Sequence, residues 1–148
     1  MSVRSAIVAV PTDPGEMQMT DQSFATEMES YLKTLSSRLT SPRSGECLVC
    51  YVARMLDEFG CDETLRWARR FRDARAPRAT RLVERLQGMG GFCDCEILLN
   101  GYARSERLAR TNEALLSYGR TPICLGVPGG STRPCGAWDR RGGNQRGL

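Results

Sequence analysis

A chain of 148 residues with 41% apolar content fits one modest domain and leaves part of its length outside any core. It has no histidine, which excludes Ser-His and Cys-His catalysis, histidine general bases and every metal site that needs imidazole. The net charge of +4 is carried almost wholly by arginine, since Lys33 is the only lysine; such a bias arises from a G+C-rich genome or from RNA binding. No run approaches the roughly 18 apolar residues of a membrane span, and Ala6 to Val10 is too short for a signal-peptide core. The expected location is therefore cytoplasmic, where seven cysteines read as reduced thiols suited to metal or redox chemistry.

Residues 1–20 carry Pro11, Pro14 and Gly15 without periodicity and read as a flexible leader. From Asp21, a plausible N-cap, the pattern turns helical. Phe24, Met28, Tyr31, Leu32, Leu35 and Leu39 form one apolar stripe, expected to be core, and Ser41-Pro42 stops the helix. A second helix opens on Cys47 and Cys50, continues through Val49, Val52, Ala53, Leu56 and Phe59, and stops at Gly60. A third is expected to start around Cys61-Asp62-Glu63-Thr64 and to run through Leu65, Trp67, Ala68, Phe71 and Ala74. Pro77 separates it from a fourth that turns Leu82, Val83, Leu86 and Met89 inward. Across these two helices Arg66, Arg69, Arg70, Arg72, Arg75, Arg78, Arg81 and Arg85 are expected to point outward, either as a solvated face or as a face for RNA phosphates. Ile97, Leu98 and Leu99 re-enter the core, and 104–118 suits a short last helix. The Gly/Pro-rich stretch 120–148 reads as a mobile arm or an ordered wrap, with Trp138 able to stack on a base or simply to pack.

The organising stretch is Gly90-Gly91-Phe92-Cys93-Asp94-Cys95-Glu96. In an extended segment Cys93 and Cys95 place both sulfurs on one side, which suits a soft metal ion better than a strained disulfide. Cys47-x-x-Cys50 is a matching half-site, because residues three apart share a helix face and a helix N-terminus favours thiolate. The expected centre is a tetrathiolate zinc site of Cys47, Cys50, Cys93 and Cys95. Cys61 competes for it, in a set with Cys93, Cys95 and Glu63. At about 1.5 Å per residue a continuous helix keeps Cys61 roughly 16 Å from Cys50, so the two arms are alternatives. Cys124 and Cys135 are weaker candidates: a reversible disulfide, a spare ligand pair, or nothing. A thioredoxin-like use of Cys47 and Cys50 lacks the buried strand that such folds place before the motif. Gly88-x-Gly90-Gly91 lacks the strand and helix of a dinucleotide loop, and no P-loop lysine or paired acid site is present. Catalysis has almost no support in the residues.

Gly90 to Asn100, with its Gly-Gly-aromatic-Cys-Asp-Cys-Glu run, aliphatics and final Asn, resembles a bacterial domain-of-unknown-function family, number 2695. Cys61-Asp62-Glu63-Thr64-Leu65-Arg66 matches it too, and so does the Cys47-Leu48-Val49-Cys50-Tyr51 opening of a mycobacterial member. Members with His where this chain has Glu63 would pair a Cys-x-His arm with Cys-x-Cys, so the resemblance implies the Cys47/Cys50 arm as its replacement here. It further implies a zinc-responsive, non-enzymatic ribosome accessory protein that helps a hibernation factor bind the small ribosomal subunit.

The expected fold is mainly α, a small domain of four to five helices over 21–119 closed by a Cys-rich zinc site, with irregular N- and C-terminal tails. Two other readings remain open: a thiol–disulfide redox protein using Cys47 and Cys50, and a structural zinc module for protein–protein interaction.

Overall fold

The computed structural model describes the backbone of residues 14–111 and 123–142, and the side chains of 21–108 and 123–142. Most of the expected leader, the end of the expected last helix and the last six residues lie outside the described residues. The chain divides into two units, Met1–Leu39 and Thr40–Leu148.

The first unit holds one long helix, α1 (Pro14–Leu39), which starts before Asp21 and so takes in the end of the stretch read as leader. Its apolar stripe corrects the expectation of a core face. Phe24, Tyr31, Leu32 and Leu39 are 64%, 59%, 57% and 61% exposed. One helix cannot bury its own stripe; among the described residues, the buried core cluster of the second unit is drawn from Cys47 onward.

That core is built on α2 (Leu48–Phe59), where Leu48, Val49, Cys50, Tyr51, Val52, Ala53 and Met55 are all buried. A helix apolar on nearly every side is one that other elements wrap. Cys47 caps its start, the sulfur accepting from the Cys50 amide at 3.3 Å, and Gly60 ends it at φ +73°. The helix α3 (Arg66–Arg75) packs Trp67, Ala68 and Phe71 against the core, with the Tyr51 and Phe71 rings 5.6 Å apart. It begins later than expected, because Cys61 to Leu65 forms a loop. Leu82 and Leu86 are the buried side of α4 (Leu82–Gly88). A single turn, α5 (Asp94–Glu96), then runs into a π-helical turn, Ile97–Gly101. Of the three aliphatics there, Ile97 is buried, Leu98 half-buried and Leu99 66% exposed.

After β1 (Tyr102–Arg104) and α6 (Glu106–Thr111) the chain returns as β2 (Trp138–Arg140). β2 pairs antiparallel with β1, Ala103 facing Asp139. Cys135, Ala137 and Trp138 join the core cluster, so of the two readings of this stretch residues 123–142 follow the ordered wrap. The fold is mainly helical, as expected, with this two-stranded ribbon added. Among the described residues no helix is long and apolar enough to cross a membrane.

The loop from Thr40 to Glu46 sets where Cys47 enters α2. Tyr51 Oη donates to Thr40 O at 2.7 Å, Arg70 Nε to Thr40 O at 3.0 Å, and Arg75 Nη2 to Pro42 O at 2.7 Å. Glu46 and Arg54, nearly buried at 6% and 11%, form a two-pronged pair at 2.9 and 2.8 Å. Glu46 Oε2 also accepts the Arg43 amide at 2.8 Å. Removing one partner of a buried pair leaves the other charge stranded, so Glu46→Ala is expected to cost about 3–5 kcal/mol in urea unfolding. A loss under about 1 kcal/mol would show the pair to be solvated instead.

Candidate metal centres

All seven cysteines are free thiols, and they gather into two groups. Cys47, Cys50, Cys124 and Cys135 form one, their sulfurs all within 4.8 Å of one another; Cys61, Cys93 and Cys95 form the other under the same limit. This corrects the expected pairing of Cys47 and Cys50 with Cys93 and Cys95. The physical reason is α2 itself. Its 12 residues span about 18 Å, with Cys47 and Cys50 at its start and Cys61 just past its end. Cys93 and Cys95 are tied to the far end, and the segment 123–142 supplies the second arm at the near end. The arms expected to exclude one another are each used.

The four-thiol group is built from three short segments. The start of α2 gives Cys47 and Cys50. Cys124 is held beside them: its sulfur accepts the Cys47 amide at 3.2 Å and the Gly126 amide at 3.4 Å, with Gly126 at φ +84° and Val127 N donating to Gly45 O at 2.9 Å. Cys135 receives the amides of Leu125 and Ala137. The Trp138 indole N–H donates to Cys50 Sγ at 3.2 Å. Amides two residues beyond a cysteine, turned back onto its sulfur, stabilise the thiolate that a metal needs. Tetrahedral metal–sulfur bonds of about 2.3 Å put sulfurs about 3.8 Å apart. Cys50 Sγ and Cys135 Sγ are 3.8 Å apart. A cleft of about 490 Å³, whose lining includes Cys50, Cys124, Arg43 and Arg54, gives an entry path.

Electrostatics point the same way. The Cys50 thiol hydrogen-bonds to Cys47 and, with the amides of Cys50 and Cys135, brings Cys47 down to about 5 against the effect of burial. The same contact and burial push Cys50 far up, and burial raises Cys135. Such opposed shifts arise where two buried thiols share one hydrogen bond, one accepting as thiolate and the other donating.

In the second group the Gly90–Asn100 motif explains itself residue by residue. Gly90 takes φ +83°, and its carbonyl accepts the Asn100 side chain at 2.8 Å. A Cβ on Gly91 would meet Leu86 O at 3.1 Å and Ile97 Cγ1 at 3.2 Å. Glu96 Oε2 accepts the Phe92 amide at 2.8 Å. Asp94, wholly buried between the two cysteines, accepts the Trp67 amide at 2.8 Å and the Ala68 amide at 3.0 Å, capping α3 from outside its own chain segment. Burial raises its carboxyl above the ordinary range, with those two amides acting in the opposite direction. Nothing in the residue order flags this cap, apart from an acid set between paired cysteines. Asp94→Ala strands two buried donors and is expected to cost about 2–4 kcal/mol in denaturant unfolding, with Asp94→Asn costing less. Equal losses in the two variants would put the effect in packing instead.

The arginines divide by role. Arg70 and Arg75 tie down the Thr40–Pro42 loop, and Arg72 is half-buried beside Asp73 at 2.8 Å. Arg66, Arg69, Arg78, Arg81 and Arg85 are exposed. Arg66 pairs with Asp62 at 3.5 Å and lies 4.0 Å over the Trp67 ring, and Arg81 pairs with Glu84 at 2.9 Å. Arg85 donates to Thr132 at 2.6 Å. Among the described residues Arg69 and Arg78 have no ion-pair partner.

Comparison with known proteins finds matches over part of the chain and no activity. The chain is 44% identical over 55 residues to the uncharacterized protein Rv2271 of Mycobacterium tuberculosis and, equally, to the uncharacterized protein Mb2294 of Mycobacterium bovis. Those matches cover 37% of this chain, which spans about half (56%) of the length of each relative. No solved structure matches. Residues 48–100, from α2 to the end of the Cys-Asp-Cys motif, match the family described as a protein of unknown function, DUF2695.

Proposed function

We propose that this protein is a zinc-binding, ribosome-associated regulatory factor without enzymatic activity. In this reading it promotes hibernation by helping a hibernation factor settle on the small ribosomal subunit in response to zinc. The observation that carries the metal half is the convergence of Cys47, Cys50, Cys124 and Cys135 within 4.8 Å, each sulfur supplied with N–H donors. An all-sulfur set with a tetrahedral edge favours zinc among the common divalent ions. The ribosomal half is supported by the exposed arginines of α3 and α4 and by the resemblance of the Cys47-to-Asn100 stretch to a hibernation-linked mycobacterial protein. Co-sedimentation with small subunits, with and without chelator, tests the whole; protein that stays in the supernatant under both conditions overturns the ribosomal half.

A second reading is favoured by one feature, the depressed Cys47 at a helix start with Cys50 one turn on, as in thiol–disulfide proteins. Against it, Cys47 and Cys50 are 0% and 1% exposed, and among the described residues no strand precedes them. Metal-free protein with a readily reducible Cys47–Cys50 disulfide would establish it. A structural zinc module that binds another protein would show zinc without ribosome association.

A further inference from the structure

The second cysteine group differs in kind from the first. Cys61, Cys93 and Cys95 bring three sulfurs within 4.8 Å, and no carboxylate or fourth sulfur joins them among the described residues. Glu63, expected as a fourth ligand, is absent from the group and contributes its backbone instead. At φ 65° it is the described non-glycine residue held in the left-handed region, and its amide turns back onto the Cys61 sulfur. The Cys95 amide donates to the same sulfur. Such a conformation costs a residue other than glycine about 1–3 kcal/mol, so the surrounding contacts must impose it. They are present: Asp62 Oδ1 accepts the Thr64 amide at 3.1 Å and its hydroxyl at 2.7 Å, and Thr64 O accepts the Asp94 amide at 3.0 Å. Trp67 Nε1 closes the loop onto Gly60 O at 3.3 Å.

The three sulfurs are thus aimed at one another by a fixed frame, and no part of that frame is borrowed from the four-thiol group. Its exposure is graded: Cys93 is buried, Cys95 half-buried and Cys61 exposed. Three protein ligands with one side open separate an exchangeable site from a closed structural one. We propose that Cys61, Cys93 and Cys95 form a second, independent metal site for a zinc-class divalent cation, with solvent as its fourth ligand. This site loads and unloads while the buried four-thiol site keeps its ion. Binding releases thiol protons to solvent and involves no change of oxidation state. The protein then senses metal supply at a surface whose emptying leaves the core closed. The site stands on its own residues, whatever the four-thiol group binds.

The test is zinc content of the purified full chain, followed by the time course of zinc transfer to a chromophoric chelator. Wild type is expected to carry about two equivalents, released in a fast and a slow phase. Cys61→Ser, a change at an exposed position, is expected to lose the fast phase and about one equivalent while keeping its circular dichroism. Cys95→Ser should do the same, and the two phases in wild type need no variant at all. One slowly released equivalent that survives Cys61→Ser overturns this site and leaves the four-thiol reading intact. A fast phase that persists in both variants also overturns it.

Discussion

Cys135→Ser, or exhaustive chelation of the wild type, is expected to abolish the cooperative thermal transition of the Thr40–Leu148 unit. The four-thiol group joins parts of the chain far apart in sequence: Cys50 meets Cys135 across 85 positions, and Trp138 reaches Cys50 across 88. Cys47, Cys50, Cys135, Ala137 and Trp138 all sit in the buried core, so opening the group exposes apolar surface as well as ligands. A structural zinc site contributes an apparent ~10–16 kcal/mol, comparable to the whole ~5–15 kcal/mol stability of a domain. Without the ion, three buried sulfurs and the half-buried Cys124 face one another with no metal to hold them together. Differential scanning calorimetry and near-UV circular dichroism are the measurements. A midpoint within about 5 °C of wild type in Cys135→Ser, equivalent to roughly 1 kcal/mol, would remove the metal from the stability of the fold.

The same site sets a pH dependence. The Cys47 thiol is lowered from 9.0 to about 5 in the folded chain, so its contribution to stability grows as the pH rises from about 5 into the ordinary thiol range, above which the raised Cys50 thiol acts in the opposite direction. That contribution drains away as the pH falls through about 5. Protons also compete with the metal for every thiolate, and acidification acts in the same direction.

What the residue order reveals, and what it hides, follows from how local each feature is. The helix α2 is written in its apolar spacing, with Cys47 at one end and Gly60 at the other. The Cys-Asp-Cys turn announces two converging sulfurs in the same way. Which arm faces which depends on the return of the chain after β1, and that return has no hydrophobic period to read. One local sign was available, glycine at the turns beside the late cysteines, in Cys124-Leu125-Gly126 and Cys135-Gly136. Amides turned back onto sulfur need such turns. The stripe of α1 shows the opposite limit. Its spacing reports an amphipathic helix faithfully, yet spacing alone does not say that anything covers it. Asp94 lies between these cases, since its two acceptor bonds reach α3 across 27 and 26 positions.

The proposed association with the small subunit is expected to weaken about 10²–10³-fold between 50 and 200 mM salt, given roughly five guanidinium–phosphate contacts. The number comes from sorting the arginines by what they already hold. Arg70 and Arg75 hold the loop before Cys47, and Arg72 is half-buried, which leaves Arg66, Arg69, Arg78, Arg81 and Arg85 at the surface. The exposed pairs of Arg66 with Asp62 and Arg81 with Glu84 are weak in water and yield readily to a phosphate. Arg69 and Arg78 have no such pair to give up. Arg69→Ala with Arg78→Ala should therefore lower the slope of log affinity against log salt by about two, with thermal stability unchanged. Arg75→Ala should do the reverse, loosening the fold through the lost bond to Pro42 O while leaving the slope alone. An affinity indifferent to salt would mean that the arginines do not meet phosphate in the proposed complex. A slope that falls as much per arginine in Arg75→Ala as in the double variant would mean that the arginines act as one diffuse charge, with no contact face on α3 and α4.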